Sequence, residues 1–145
     1  MSPASFTILL GSDERKPHLR LEVVDYQHPE VAEPDGLDLL TCLIHAHAEP
    51  VRATFPYAIR VDELAEVRAY LAQINSGNGP PAAFAIAGGL FELSFAPSRR
   101  GPVLCAVRLK SIDTAHVRVE FLLTLEPEGL TRALADLAHL DRLRF

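Results

Sequence analysis

Apolar and polar residues alternate along most of this chain, and the alternation gives way twice to a longer, helical period. Phe6-Thr-Ile-Leu-Leu10 is a short apolar run, followed by the polar turn Gly11 to Pro17. That reads as a strand entering a turn. From Leu19 the period is two: Leu19, Leu21, Val23 and Asp25 share one face, and Arg20, Glu22, Val24 and Tyr26 the other. The two segments pair naturally as a hairpin. Gln27 to Gly36 holds Pro29 and Pro34, which lack backbone donors, and reads as a loop. Leu37 to Ala48 is apolar on both faces, so its period allows a buried helix or a strand. Thr41-Cys-Leu-Ile44 has no helical stripe, which favours the strand. A tight turn at Glu49-Pro50 follows, and Val51, Ala53, Phe55 and Tyr57 then alternate with Arg52 and Thr54. Pro56 cannot donate to a ladder, so this strand lies at an edge or bulges there.

The first helical stretch starts near Asp62, a suitable cap, with Glu63 and Glu66 at the positive end of the helix dipole. Leu64, Val67, Leu71 and Ile74 form its stripe, and Gly77 suits a left-handed C-terminal turn. Asn78-Gly-Pro-Pro81 forces an extended linker. Strands over Ala82–Ala87 and Leu90–Ala96 then flank Gly88-Gly89, which fits a two-residue hairpin turn. Pro97 to Pro102 is a second hairpin loop. Val103 to Lys110 alternates, with Val103, Cys105, Val107 and Leu109 inward. A further strand places Val117, Val119, Phe121 and Leu123 inward against Arg118, Glu120 and Thr124. Pro127 opens the last helix, whose stripe is Leu130, Leu134, Leu137 and Ala138.

Strands joined by short turns imply an antiparallel meander, and amphipathic helices cover one face of such a sheet. The expected fold is α+β: an antiparallel β-meander sheet with two amphipathic helices packed on one face, in a single domain over residues 1–145. Strands followed by a helix occur twice, a pattern that an internal duplication would leave. Nothing alternates strand and helix in the manner of a dinucleotide-binding sheet.

Composition changes this picture little. The 145 residues are 48% hydrophobic and 23% charged, ordinary for a globular chain that needs no disulfide or metal. Cys42 and Cys105 lie in apolar runs and read as buried free thiols, with a single disulfide as the alternative. The first residues show no signal-peptide pattern and no apolar run approaches a membrane span, so a cytoplasmic protein is expected.

Charge is more informative. Residues 1–52 hold nine acids against four bases, and residues 53–145 hold ten of each, so the net charge of −5 arises wholly in the first third. Between Arg20 and Arg52 there is no lysine or arginine, only Glu22, Asp25, Glu30, Glu33, Asp35, Asp38 and Glu49. A one-sign field draws a partner of opposite sign. Glu30, Glu33, Asp35 and Asp38 are therefore the candidate partner-binding residues, and the expected partner is a basic protein rather than nucleic acid.

Candidate chemistry is sparse. His45 and His47 sit two apart, so on a strand their imidazoles share a face and, with Glu49, could hold a metal ion. The pattern is similar to the His-x-His of cupin barrels, but there the carboxylate comes later and precedes a glycine. Two half-exposed histidines at a strand end are the structural alternative. Arg99 and Arg100 at a hairpin tip could clamp a phosphate or carboxylate, or simply protect a sheet edge. The glycine pairs do not form phosphate loops, and no G-x-S-x-G or C-x-x-C motif occurs. No catalytic residue and no cofactor are expected.

Asp35 to Ile44, Val51 to Ile59 and Asp62 to Leu71, followed by Phe91 to Phe95, Val117 to Leu125 and Leu130 to Leu140, together resemble the WapI-type immunity proteins of bacterial toxin systems. The likeness in layout covers roughly residues 20–140. It implies a non-enzymatic binding protein that neutralises a cognate toxin domain, with the acidic first third as a docking surface. Two other readings stay open from the residues themselves. One is a metal- or small-ligand-binding protein using His45 and His47. The other is a structural domain that forms homo-oligomers through its strand edges.

Overall fold

The computed structural model describes residues 5–11, 15–27, 39–77, 79–98, 101–113 and 116–143. Strands β1 (Phe6–Leu10), β2 (His18–Gln27), β3 (Leu39–Ala48) and β4 (Val51–Arg60) form one antiparallel sheet in chain order. Helix α1 (Val61–Asn75) follows. Strands β5 (Ala82–Ile86), β6 (Phe91–Ala96), β7 (Val103–Lys110) and β8 (Arg118–Leu125) make a second sheet, also in chain order. Helix α2 (Pro127–Leu137) runs on into a 3-10 helix, Ala138–Leu143. The α+β class and the antiparallel meander are those expected from the alternation. Helix α1 divides the meander into two four-stranded sheets.

The inward residues of both sheets and the helical stripes form one continuous core. Ile8, Leu19, Leu21, Leu40, Ile44 and Ile59 come from the first sheet, and Phe91, Leu93, Phe95, Val107 and Leu109 from the second. Tyr57 on β4 joins them: its ring stacks on Phe91 at 6.0 Å, and its hydroxyl lies 2.6 Å from the Lys110 carbonyl. Tyr70 on α1 packs against Phe84 and Phe95 of the second sheet. At the β1 edge, the Leu9 N–H donates to Asp136 Oδ2 of α2 at 3.1 Å, and Phe6 lies against His139. Pro56 lies on β4, an edge strand, where its missing donor costs no ladder bond.

Four local expectations need correction. A β-bulge falls between Val23 and Asp25, so the face changes there. Asp25 therefore points outward, whereas Tyr26 packs against the core and reaches the Leu143 carbonyl at 3.2 Å. Strand β4 passes into α1 without a loop, so extended Arg60, not Asp62, is the cap residue. Glu63 closes the helix end by accepting the Arg60 N–H at 3.0 Å. Val117 precedes β8 and is 50% exposed, because it is tied back to Ser111 by two hydrogen bonds of 2.9 and 3.0 Å.

The β5–β6 connection is a four-residue turn, Ala87 to Leu90, rather than a two-residue one, because Ile86 pairs with Phe91. Ala87, Gly88 and Gly89 take φ values of 54°, 69° and 90°. Ala87 thus occupies a left-handed conformation that costs an L-residue about 1–2 kcal/mol. Glycine removes that cost but makes the unfolded chain more flexible. The Ala87→Gly variant should gain about 0.5–1 kcal/mol by urea denaturation, and a loss would contradict the left-handed turn.

Cys42 and Cys105 are free and buried, one in each sheet, as their apolar settings imply. Burial pushes both thiols up from 9.0 to about 12. The folded chain keeps protons there that the unfolded chain releases, so it binds more protons than the unfolded chain above pH 9. Their contribution is whole below the ordinary thiol value of 9.0 and is lost as pH climbs towards about 12. Stability should therefore decline across that alkaline window in a pH series of denaturant melts. A flat series would contradict the burial of the thiols.

Candidate functional site

The outward face of the first sheet carries the polar residues of the alternating pattern. Register places Leu9, Arg20, His45 and Thr54 side by side across β1 to β4. One step along, His18, His47 and Arg52 form a second row. The His18 and His47 rings stand 4.8 Å apart, tilted by 38°. Arg132 of α2 joins them, and these side chains line a cavity of about 530 Å³.

Hydrogen bonds fix the imidazoles. A carboxylate can only accept, so His45 Nε2–H donates to Glu22 Oε1 at 2.9 Å, and Nδ1 lies in hydrogen-bond contact with the Thr54 hydroxyl at 3.1 Å. By the same reasoning His47 Nε2–H donates to Glu49 Oε1 at 3.0 Å, and His18 Nδ1–H to the Lys16 carbonyl at 3.0 Å. His45 and His47 do share a face, as their spacing requires, and Glu49 lies beside His47. Both nitrogens of His45 are engaged within the protein, so a metal would have to displace Glu22 or Thr54. Among the described residues no group of three or more His, Cys, Asp or Glu side chains is arranged to hold a metal ion.

Glu30, Glu33, Asp35 and Asp38 lie outside the described residues, as do Arg99 and Arg100. Of the acid-only segment, Glu22 and Glu49 belong to the histidine face, and exposed Asp25 lies beyond the bulge. Sequence reasoning did not find His18, Arg20, Arg52 and Arg132 as a group. Alternation along β2 puts His18, Arg20 and Glu22 on one face, a usable signal. The approach of Arg132 depends on how α2 meets the β1 edge, and nothing local encodes that.

The second sheet shows a different outer face. Arg108 bridges Glu120 at 2.7 Å and Glu92 at 3.2 Å, beside exposed Leu104 and Leu122. Its cross-strand charges are matched.

The sequence model of the immunity protein WapI-like family matches residues 8–140, which takes in both sheets and both helices. The chain belongs to that family. The match extends the resemblance seen in the sequence to β1 at its start and into the 3-10 helix at its end. Membership supports an immunity role, which in this family means binding a toxin partner and is generally non-enzymatic. No curated protein and no solved structure matches the chain. Among the described residues no helix is long and apolar enough to cross a membrane.

Proposed function

We propose that this chain neutralises a cognate toxin domain by stoichiometric binding in the bacterial cytoplasm, without chemistry of its own. The family match over residues 8–140 carries this reading. The charge distribution supports a basic partner: with no lysine or arginine between Arg20 and Arg52, the acid-only segment steers a cationic surface toward the chain. Glu30, Glu33, Asp35 and Asp38 are the docking residues on this reading. Co-expression with its cognate toxin domain should restore growth, and failure to do so would overturn the proposal.

Steering acts on encounter more than on the lifetime of a complex. The triple variant Glu30→Lys, Glu33→Lys, Asp35→Lys should slow association by about tenfold or more at low salt and leave dissociation nearly unchanged. Stopped-flow capture at two ionic strengths measures this. An association rate indifferent to both the variant and salt would remove the acidic segment from the interface.

A further inference from the structure

The two sheets leave four strands at an edge, and three of them are poorly suited to further pairing. At β1 the Leu9 N–H already donates to Asp136 of α2. Strand β4 carries Pro56 at mid-length, which has no N–H to offer, with Arg52 and Arg60 towards its ends. Strand β5 has only five residues and follows Pro80-Pro81. Covered, proline-bearing or short edges are how sheets avoid pairing with other chains. Strand β8 has none of these devices. Its eight residues, Arg118–Leu125, contain no proline, glycine or lysine, and its register with β7 runs unbroken along the whole strand. Among the described residues no strand lies beyond it. Its side chains fit an open edge. Leu122, on the outer face, is 62% exposed. Val119 and Phe121 point toward the core but stay half-buried, whereas Leu123 and Leu125 are covered.

We infer that β8 pairs with the β8 of a second copy of the chain, antiparallel about a two-fold axis at Leu122. Outward residues must meet outward residues across such a pair, so the axis falls on a single residue. Charge selects which one. Centred on Glu120, the strand sets Glu120 against itself, and centred on Leu123 it sets Glu120 against Glu126. Centred on Phe121, Glu120 faces Leu122 and Arg118 faces Thr124. Centred on Leu122, Arg118 faces Glu126, Glu120 faces the Thr124 hydroxyl, and the exposed Leu122 side chains meet each other. Glu126 can take part because its backbone is still extended, at φ −71° and ψ 161°, and its side chain caps no helix N–H. On the core side the same register lays Leu123 over Phe121 and Leu125 over Val119, which covers the two half-buried residues. The two second sheets become one, and the open backbone edge is closed. The inference does not rest on toxin binding. Pairing at β8 changes the mass of a toxin complex but not its ratio of chain to toxin.

Sedimentation equilibrium of the full chain over a concentration series tests the pairing. The mass should rise from the 15.9 kDa of one chain toward twice that value. Leu122→Lys sets two ammonium groups face to face at the axis and should hold the chain as a monomer throughout. Leu122 is exposed, so the thermal melt of this variant should match the parent. Arg118→Glu makes like charges meet at both ends of the pair and should weaken association by about tenfold or more. Adding Glu126→Arg exchanges the two charges and should restore association. Leu104→Lys, one strand in from the edge, separates edge pairing from stacking of the outer faces and should leave the dimer intact. A single-chain mass across the series would assign the edge to another partner and overturn the inference. So would a Leu104→Lys variant as disrupted as Leu122→Lys, or a charge exchange that fails to restore association.

Discussion

Replacing Phe91 with alanine should destabilise the fold by about 3–5 kcal/mol. Phe91 is 0% exposed and sits where the two sheets meet. Its ring lies 6.0 Å from that of Tyr57, at 11° between planes, and Tyr57 in turn stacks on Phe55 at 6.1 Å. The substitution deletes a whole buried ring and leaves a cavity that strands on both sides are too constrained to fill. Against a typical stability of about 5–15 kcal/mol, that is roughly a fifth or more of the total. Urea denaturation should show the midpoint falling with an unchanged slope. A change below about 1 kcal/mol would mean that the sheets do not depend on this contact.

The second large effect is expected at Tyr57→Phe, which keeps the ring and removes only the hydroxyl. That oxygen lies 2.6 Å from the Lys110 carbonyl and 3.2 Å from the Leu90 carbonyl, and it accepts the Lys110 N–H at 3.1 Å. It thus ties β4 of the first sheet to the second sheet by polar contacts in a part-buried place. Removing it should cost about 1–2 kcal/mol. The cost stays at that level because the Lys110 N–H keeps a second acceptor, the Leu90 carbonyl at 2.9 Å. Burial also pushes the Tyr57 phenol up from 10.0 to about 12, with the Lys110 hydrogen bond opposing the shift. Burial raises Tyr70 as well, so an ultraviolet titration should show more than one tyrosine ionising late, and Tyr57→Phe should reduce that late change. If the variant keeps both its stability and the full late change, the hydroxyl does not bridge the sheets.

Strand after strand was legible because apolar residues recur at every second position wherever one face is buried. Val103, Cys105, Val107 and Leu109 show this cleanly: all four are buried, and the residues between them point outward. Helix stripes were legible for the same reason at a longer period, as with Leu64, Val67, Leu71 and Ile74. What misled was a departure from the period that left no mark in residue type. Val24 is an ordinary strand residue, yet the bulge there turns Asp25 out and brings Tyr26 against the core. Nor could periodicity show where one meander becomes two sheets. That division follows from α1 being inserted between β4 and β5, and from contacts such as Tyr57 to Phe91 that lie far apart in sequence.

The site was legible in part. The His45–His47 spacing placed two imidazoles on one face, which the register confirms, and Glu49 is the partner of His47. The pairing of His45 with Glu22 was hidden, since it spans two strands and is diagonal in the register. Arg20, Arg52 and Arg132 come together only through the order of the first sheet and the seat of α2 against β1. The run of acids was plain from the start, but part of it faces the same surface as these arginines. The first sheet therefore presents a mixed surface, with Arg20, Arg52 and Arg132 beside Glu22 and Glu49, where composition alone suggested a uniform negative one.

The central claim is neutralisation by binding, and titrating protection against stoichiometry tests it most directly. Purified chain would be added stepwise to the cognate toxin domain, with residual toxicity and complex mass followed together. A neutralising binder should end toxicity at one equivalent, as a one-to-one complex from which unaltered toxin is recovered on dissociation. Protection well below one equivalent, with the toxin recovered chemically changed, or no complex at any ratio, would contradict it.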